Sequence, residues 1–291
     1  MTASGPVGSD LAGQLGSTAA PPDLAGPPPP GTPIPEAMTA YTNRHIDLVW
    51  LNGIGGITGV IRRDPPQYIK WSPPGSHESL AAEANRLFWL SKQGFPTPKL
   101  VEYQRNNSEE LLITEAVPAS NAVAPRWKND PDVAARAVAE GLKALHALPT
   151  DGCPFTWEAQ ERLQACTQNA GTDCIPSELA VPRKHSHPEP RDGQPCEKVP
   201  VGSPPPIDKL VICHGDACTP NTLVSSGGEF AGLVDLGRLG LADRWADLAV
   251  AEMSLGWNYP DFNRELFWET YGIEPDQERL AYYRDLWNAE A

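Results

Sequence analysis

From Asp47 the chain reads "DLVWLNGIGGITGVIRRDPPQYIKWSP", short apolar stretches broken by Gly and Pro. Such text predicts a meander of β-strands with Lys70 on its last strand. "SLAAEANRLFWLSKQG" follows, with Leu80, Ala84, Leu87 and Leu90 at helical spacing and Gly94 placed to end the helix. "PKLVEYQ" and "EELLITEAVP" predict two more strands. Next, "DPDVAARAVAEGLKALHAL" offers Asp130 as an N-cap and an apolar face of Val133, Ala137, Val138, Leu142 and Leu145, so a helix should open a second lobe. After "CPFTWEAQERLQAC" the period fails, and no core element is assigned over about 165–206. Order returns in two strands, "DKLVICHGD" and "EFAGLVDLG". Helical text then runs through "ADRWADLAVAEMSL", "DFNRELFWETYG" and "DQERLAYYRDLWNAEA".

Residues 1–37, ending in "GPPPPGTPIPE", carry too little apolar surface to offset the entropy of ordering and are expected to be a disordered extension. A second reading starts translation at Met38. The pattern divides the rest into an N-lobe over 38–118 and a C-lobe over 119–291, the latter interrupted by the irregular segment. A chain of 291 residues suits such a two-lobed α+β molecule.

A formal charge of -14 argues against nucleic acid as a partner and mildly favours a cationic ligand, although an acidic, merely solvated surface has the same composition. Six cysteines are too sparse for a disulfide scaffold and read mostly as free thiols. The text shows neither a membrane span nor a signal peptide, so a cytoplasmic protein without a membrane partner is expected, a monomer or weak dimer.

"HGDACTPN" carries the chemistry. A buried strand running into an Asp, with an Asn five positions later, has no packing rationale, whereas phosphoryl transfer needs a carboxylate at the acceptor hydroxyl, Mg²⁺ ligands and a cation on the phosphates. Asp216 would take the acceptor proton; Asn221, and Asp235 at the end of the next strand, would hold Mg²⁺. The kinase catalytic loop has the same D-x-x-x-x-N spacing. Lys70 would reach the nucleotide phosphates, with Glu83 on the following helix holding it in line. "NGIGGITG" does not satisfy GxGxxG, yet its position suggests a lid whose amides near Ile57 and Thr58 contact phosphate. Each residue alone has a plainer reading: a surface lysine, a solvated glutamate, an Asx turn. The ordered set favours the chemistry.

"HGDACTPNTLV", "GLVDLGRLGLADRWADLAV" and "ERLAYYR" resemble the aminoglycoside O-phosphotransferases acting on 3'- or 3''-hydroxyls, over roughly 45–160 and 207–291. The resemblance implies a bilobal protein-kinase-like fold, a small β-rich N-lobe and a larger, mainly helical C-lobe with ATP or GTP between them. It further implies that the Thr114 carbonyl and Ala116 amide read the purine and that Arg238 lies near the acceptor sugar. His214 and Asp247 would support the catalytic loop. The substrate would be a cationic aminoglycoside, and the product of its phosphorylation would be resistance.

Two features depart from that family. The segment 165–206 is Pro-rich where the family is helical, which reads as an insertion or as a frame-shifted stretch. The aberrant segment leaves a catalytically impaired nucleotide-binding relic as one alternative; a kinase of another small alcohol is a separate one. A zinc site from Cys166, Cys174, His185, His187 and Cys196 matches no standard ligand spacing. The C-terminus lacks the acidic-aromatic tail that often closes the acceptor site in the 3'-hydroxyl branch; Glu290 and the terminal carboxylate of Ala291 are offered in its place, and the difference leaves a 3''-enzyme open.

Overall fold

The computed structural model describes residues 26–76, 79–106, 109–169 and 202–290. The extension before Gly26, the Cys and His residues beyond Asn169 whose spacing was weighed against a zinc site, and the centre of the irregular segment lie outside the described residues.

Five antiparallel strands form the N-lobe sheet: β1 (Ile46–Leu51), β2 (Ile57–Ile61), β3 (Gln67–Ser72), β4 (Leu100–Asn106) and β5 (Glu109–Glu115), in the order β1-β2-β3-β5-β4. β5 is buried along its centre because both faces of the sheet are covered. Leu112 packs on one side with Leu80, Leu87 and Leu90 of helix α2 (Leu80–Lys92). Leu111 and Ile113 pack on the other with Met38 of the short helix α1 (Glu36–Tyr41), together with Ile57, Ile61 and Ile69. Alternate residues of a strand face opposite sides, so a strand covered on both faces loses its polar positions and reads as the apolar run "LLI". α2 ends as its sequence predicts: Gly94 takes φ +69 and the Phe95 amide reaches back to the Leu90 carbonyl.

The disordered extension expected over 1–37 is corrected at its C-terminal end. Gly26 exchanges both backbone hydrogen bonds with Leu51 on edge strand β1, at 2.9 and 2.8 Å, and α1 begins at Glu36. Composition misses this because a backbone pairing with an open sheet edge requires no apolar side chain.

The C-lobe is built on helices α3 (Pro131–Leu145), α5 (Trp245–Asn258), α6 (Arg264–Tyr271) and α7 (Gln277–Glu290), with α4 (Ala159–Asn169) against α7. Asp130 stands at the N-cap of α3 but its side chain makes no capping hydrogen bond; Pro131 starts the helix. α4 runs five residues into the segment read as irregular. A two-residue strand β6 (Ser120–Asn121) pairs antiparallel with β8, and four short strands bring the chemistry together: β7 (Leu210–Cys213), β8 (Thr222–Val224), β9 (Phe230–Leu233) and β10 (Gly240–Asp243). β8 pairs with β9 and β7 with β10, both antiparallel. "ADRWADLAV" is therefore helical only from Trp245: Ala242 and Asp243 pair with Val211 and Leu210, and the cross-strand partner overrides their helical propensity.

Glu110, on β5, is a support that sequence reading missed. Its buried carboxylate accepts from the Leu80 amide at 2.6 Å, the Ala81 amide at 3.2 Å and the Tyr103 hydroxyl at 3.0 Å. It satisfies the first amides of α2, where a carboxylate also complements the helix dipole. Glu110→Ala should lower unfolding free energy by about 2 kcal/mol, read by urea denaturation, since the amides lose a charged acceptor inside the protein.

Candidate active site

β3 and α2 bring Lys70 and Glu83 together. The ammonium contacts the two Glu83 oxygens at 2.9 and 2.8 Å and Asp235 Oδ1 at 2.9 Å, joining the N-lobe to the loop after β9. Burial opposes the Lys70 charge, but Asp235 and Glu83 outweigh it and hold the ammonium's pKa well above its usual range. Lys70 in turn keeps the Asp235 carboxyl below the ordinary carboxylate range, against burial. Glu83 goes the other way: burial raises its pKa, and Lys70 offsets this only partly. Asp235 also holds φ +63, left-handed backbone that costs a non-glycine residue roughly 1 kcal/mol and that asparagine and aspartate tolerate best.

The catalytic loop hangs from Asp247. This fully buried carboxylate accepts from the His214 amide at 2.6 Å and the Gly215 amide at 3.0 Å, while His146 Nε2 donates to it at 3.0 Å. Burial would raise the Asp247 pKa; the hydrogen bond and charge of His146, with His214, reverse the sign and leave it lowered. The His214 ring has one consistent tautomer. Nε2 donates to the Val234 carbonyl at 2.9 Å and Nδ1 accepts from the Asp216 amide at 3.2 Å, so the neutral ring braces the Asp216 loop against the strand leading to Asp235. Gly215, at φ +86, lies against the Arg238 backbone so closely that a Cβ there would overlap it.

Asp216 Oδ1 is buried and has no hydrogen-bond partner among the described residues. An orphaned carboxylate oxygen is costly unless a donor arrives during the reaction, which is what a general base for a hydroxyl requires. Asn221 Nδ2 donates to the Asp216 carbonyl at 3.0 Å, so its amide group is oriented with the oxygen left as the other arm. The Val234 amide bonds the Asn221 carbonyl at 3.0 Å and sets Asn221 beside the Asp235 segment. Oxygen donors from one amide and one partly exposed carboxylate suit a hard cation such as Mg²⁺.

Five residues expected to make contacts are corrected. Ile57 and Thr58 lie inside β2, paired with Trp71 and Lys70, so they are not the tip of a phosphate loop. The tip is Asn52–Gly56, where Asn52 Oδ1 accepts from the Ile54 amide at 3.2 Å and the Gly56 amide at 2.5 Å. Thr114 is paired with Tyr68 and Leu100, and the Ala116 amide donates to the Pro66 carbonyl at 2.9 Å, extending the β3–β5 ladder through the position expected to read the purine. Glu290 does not stand free for a substrate: it clasps Arg162 of α4 with two hydrogen bonds, at 2.7 and 2.8 Å. Arg238 is exposed, consistent with a place at the site's mouth, and its guanidinium stacks on Trp157 at 5.6 Å from the ring centre. Phe155, Trp157 and Arg86, which contact this loop, were missed because aromatic and basic residues at those spacings carry no motif.

A β-lobe lysine–glutamate pair, an Asp–Asn catalytic loop and a following Asp on left-handed backbone define a kinase-like phosphotransferase. The chain belongs to the phosphotransferase enzyme family, whose model matches residues 58–283. It is 34% identical over 241 residues to an aminoglycoside 3'-phosphotransferase of Streptomyces fradiae, covering 79% of this chain and 88% of the relative. It is 32% identical over 247 residues to a streptomycin 3''-kinase of Streptomyces griseus, covering 81% and 90%. Among solved structures, an aminoglycoside 3'-phosphotransferase of type VIII superposes with a TM-score of 0.68 at 28% identity, covering 87% of this chain and 98% of that one. No helix among the described residues is long and apolar enough to cross a membrane.

Asp247 supplies a pH test. Its folded pKa lies below the unfolded value of about 3.9, so its contribution is complete above that value and is lost as pH falls through the folded pKa. Asp247→Asn should therefore cost about 3 kcal/mol at neutral pH, with the gap to wild type closing below about pH 4 in chemical denaturation.

Proposed function

We propose that the protein transfers the γ-phosphoryl group of ATP to a 3'- or 3''-hydroxyl of an aminoglycoside. The observation that carries this reading is the orphaned Asp216 oxygen, on a loop fixed by Asp247 and His214 beside Lys70 and Asp235. Asp216 accepts the proton of the attacking hydroxyl as the oxygen closes on phosphorus. The proton leaves the acceptor, the new P–O bond forms and ADP departs. Lys70, steadied by Glu83, neutralises charge on the nucleotide phosphates. Asn221 and Asp235 are the residues that would hold Mg²⁺, which supplies charge neutralisation between the phosphates. Arg238 adds a cation at the mouth of the loop.

The substrate class rests on two supports. Relatives matched over most of the chain are named for 3'- and 3''-transfer to aminoglycosides, and the formal charge of -14 suits a polycationic acceptor. With Glu290 committed to Arg162, other acidic groups must meet the ammonium groups of the drug. The two lobes serve as the nucleotide-binding and acceptor-binding halves of one enzyme, acting in the cytoplasm with no nucleic-acid or membrane partner, as a monomer or weak dimer.

The test is ADP release by the full-length protein with ATP and Mg²⁺, comparing kanamycin, neomycin and streptomycin with no acceptor. Release that depends on one of these drugs is expected, and the responding drug selects the hydroxyl. Stimulation by none of them would contradict the substrate class. Asp216→Ala should lower transfer at least about 100-fold while ATP affinity stays within about two-fold of wild type, because the base acts on the acceptor rather than the nucleotide. A matching loss of ATP affinity would count against the assigned role.

A further inference from the structure

The extended stretch Phe155–Trp157 lies along the loop that follows Asp235. The Leu241 amide donates to the Phe155 carbonyl and the Trp157 amide to the Leu241 carbonyl, both at 2.9 Å, and Thr156 bridges Leu241 in parallel. Gly240 is pressed so closely on the Thr156 backbone that a Cβ would overlap it. Residues two apart on an extended chain project to the same side, and here each presents a ring to a guanidinium. Phe155 carries Arg86 at 4.7 Å from its centre, and Trp157 carries Arg238 at 5.6 Å. Arg86 belongs to α2, one turn beyond Glu83, and donates to the Leu239 carbonyl at 2.7 Å. The strip thus grips the loop from Asp235 to Leu241 by its backbone and by the arginines at both sides of it.

Trp157 is contacted by a second cation. Arg162 stands 4.8 Å from the ring centre, and its charge is met by the bidentate Glu290. Among the described residues Arg238 forms no salt bridge; its charge acts on Asp235 from a distance, and the indole is the side chain it rests on. An exposed arginine without such an anchor samples many rotamers, and each time it leaves the loop the site loses its cation.

We propose that Trp157 is a positioning residue for phosphoryl transfer: its indole holds the Arg238 guanidinium beside the loop that carries Asp216, and Arg162, fixed by Glu290, packs on the same indole. This rests on the phosphotransferase reading and extends it to Trp157, a residue outside the sequence motifs. It also gives Glu290 a task, which is to tie the end of α7 to the ring that orients Arg238.

The test is a double-mutant cycle on the full-length protein with Trp157→Leu, Arg238→Ala and both together. It is read on transfer to the responding aminoglycoside and, separately, on slow acceptor-free ATP hydrolysis. Trp157→Leu should lower kcat about five-fold, the scale of an exposed cation–aromatic contact, with KM for ATP within about two-fold of wild type. Trp157→Phe should restore most of the rate because it keeps a ring. In the Arg238→Ala background, loss of the indole should cost nothing further. An equal loss with and without Arg238, or a loss confined to KM for ATP, would overturn the proposal. Trp157→Met serves the same cycle if the leucine variant does not fold. A wild type that hydrolyses ATP but phosphorylates none of the drugs would contradict the substrate class alone, and the cycle would still be read on hydrolysis.

Discussion

One ammonium group joins the two halves of this molecule. Lys70 reaches Glu83 on α2 and Asp235 on the loop after β9, so a strand, a helix and a C-lobe loop meet at a single charge. Glu83 is buried while Lys70 and Asp235 are partly exposed, and holding these charges away from full solvation is offset because each carboxylate is within hydrogen-bonding reach of the cation. Removing either carboxylate would leave the remaining charges unbalanced inside the protein. The supports around them act at one remove: Glu110 fixes the start of α2, Arg86 holds α2 to the Leu239 carbonyl, and the Phe155–Trp157 strip holds the loop itself.

The catalytic loop is fixed by a separate network with a different logic. Asp247 gathers two successive loop amides and a buried imidazole, and the neutral His214 ring spans from the Asp216 amide to the Val234 carbonyl. Every donor and acceptor in that path is matched, whereas Asp216 Oδ1 is not. The hydrogen bonds thus converge behind the Asp216 carboxylate and leave its Oδ1 unpaired, the arrangement that the proposed base role calls for.

How far the text revealed this depends on what each feature rests on. The text singled out Lys70, Glu83, Asp216, Asn221 and Asp235 by the order of side chains that phosphoryl transfer would need; the structure brings Lys70, Glu83 and Asp235 into contact and sets Asn221 on the Asp216 carbonyl, and the N-lobe strands were legible from periodicity. The phosphate loop, the purine contacts and Glu290 were misplaced because backbone pairing and partner choice decide them. The amides of Ile57 and Ala116 belong to sheet geometry, and Glu290 found Arg162 across α4 and α7. Glu110, Arg86 and Trp157 act through residues distant in sequence, and a lone glutamate, arginine or tryptophan carries no spacing to announce it. Gly26, within the stretch expected to be disordered, was misjudged because an edge strand can recruit any backbone.

The ion cluster makes the most direct demand on experiment. Asp235 is held by Lys70 here, and nucleotide with Mg²⁺ should draw both away, the carboxylate to the metal and the ammonium to phosphate. Calorimetric titration of ATP into the full-length protein, with and without Mg²⁺, compares wild type with Asp235→Asn. The account predicts that Mg²⁺ tightens ATP binding in wild type and has little effect in the variant. Equal tightening in both proteins would contradict it, because the metal would then be held by other groups and the Lys70–Asp235 contact would be structural alone.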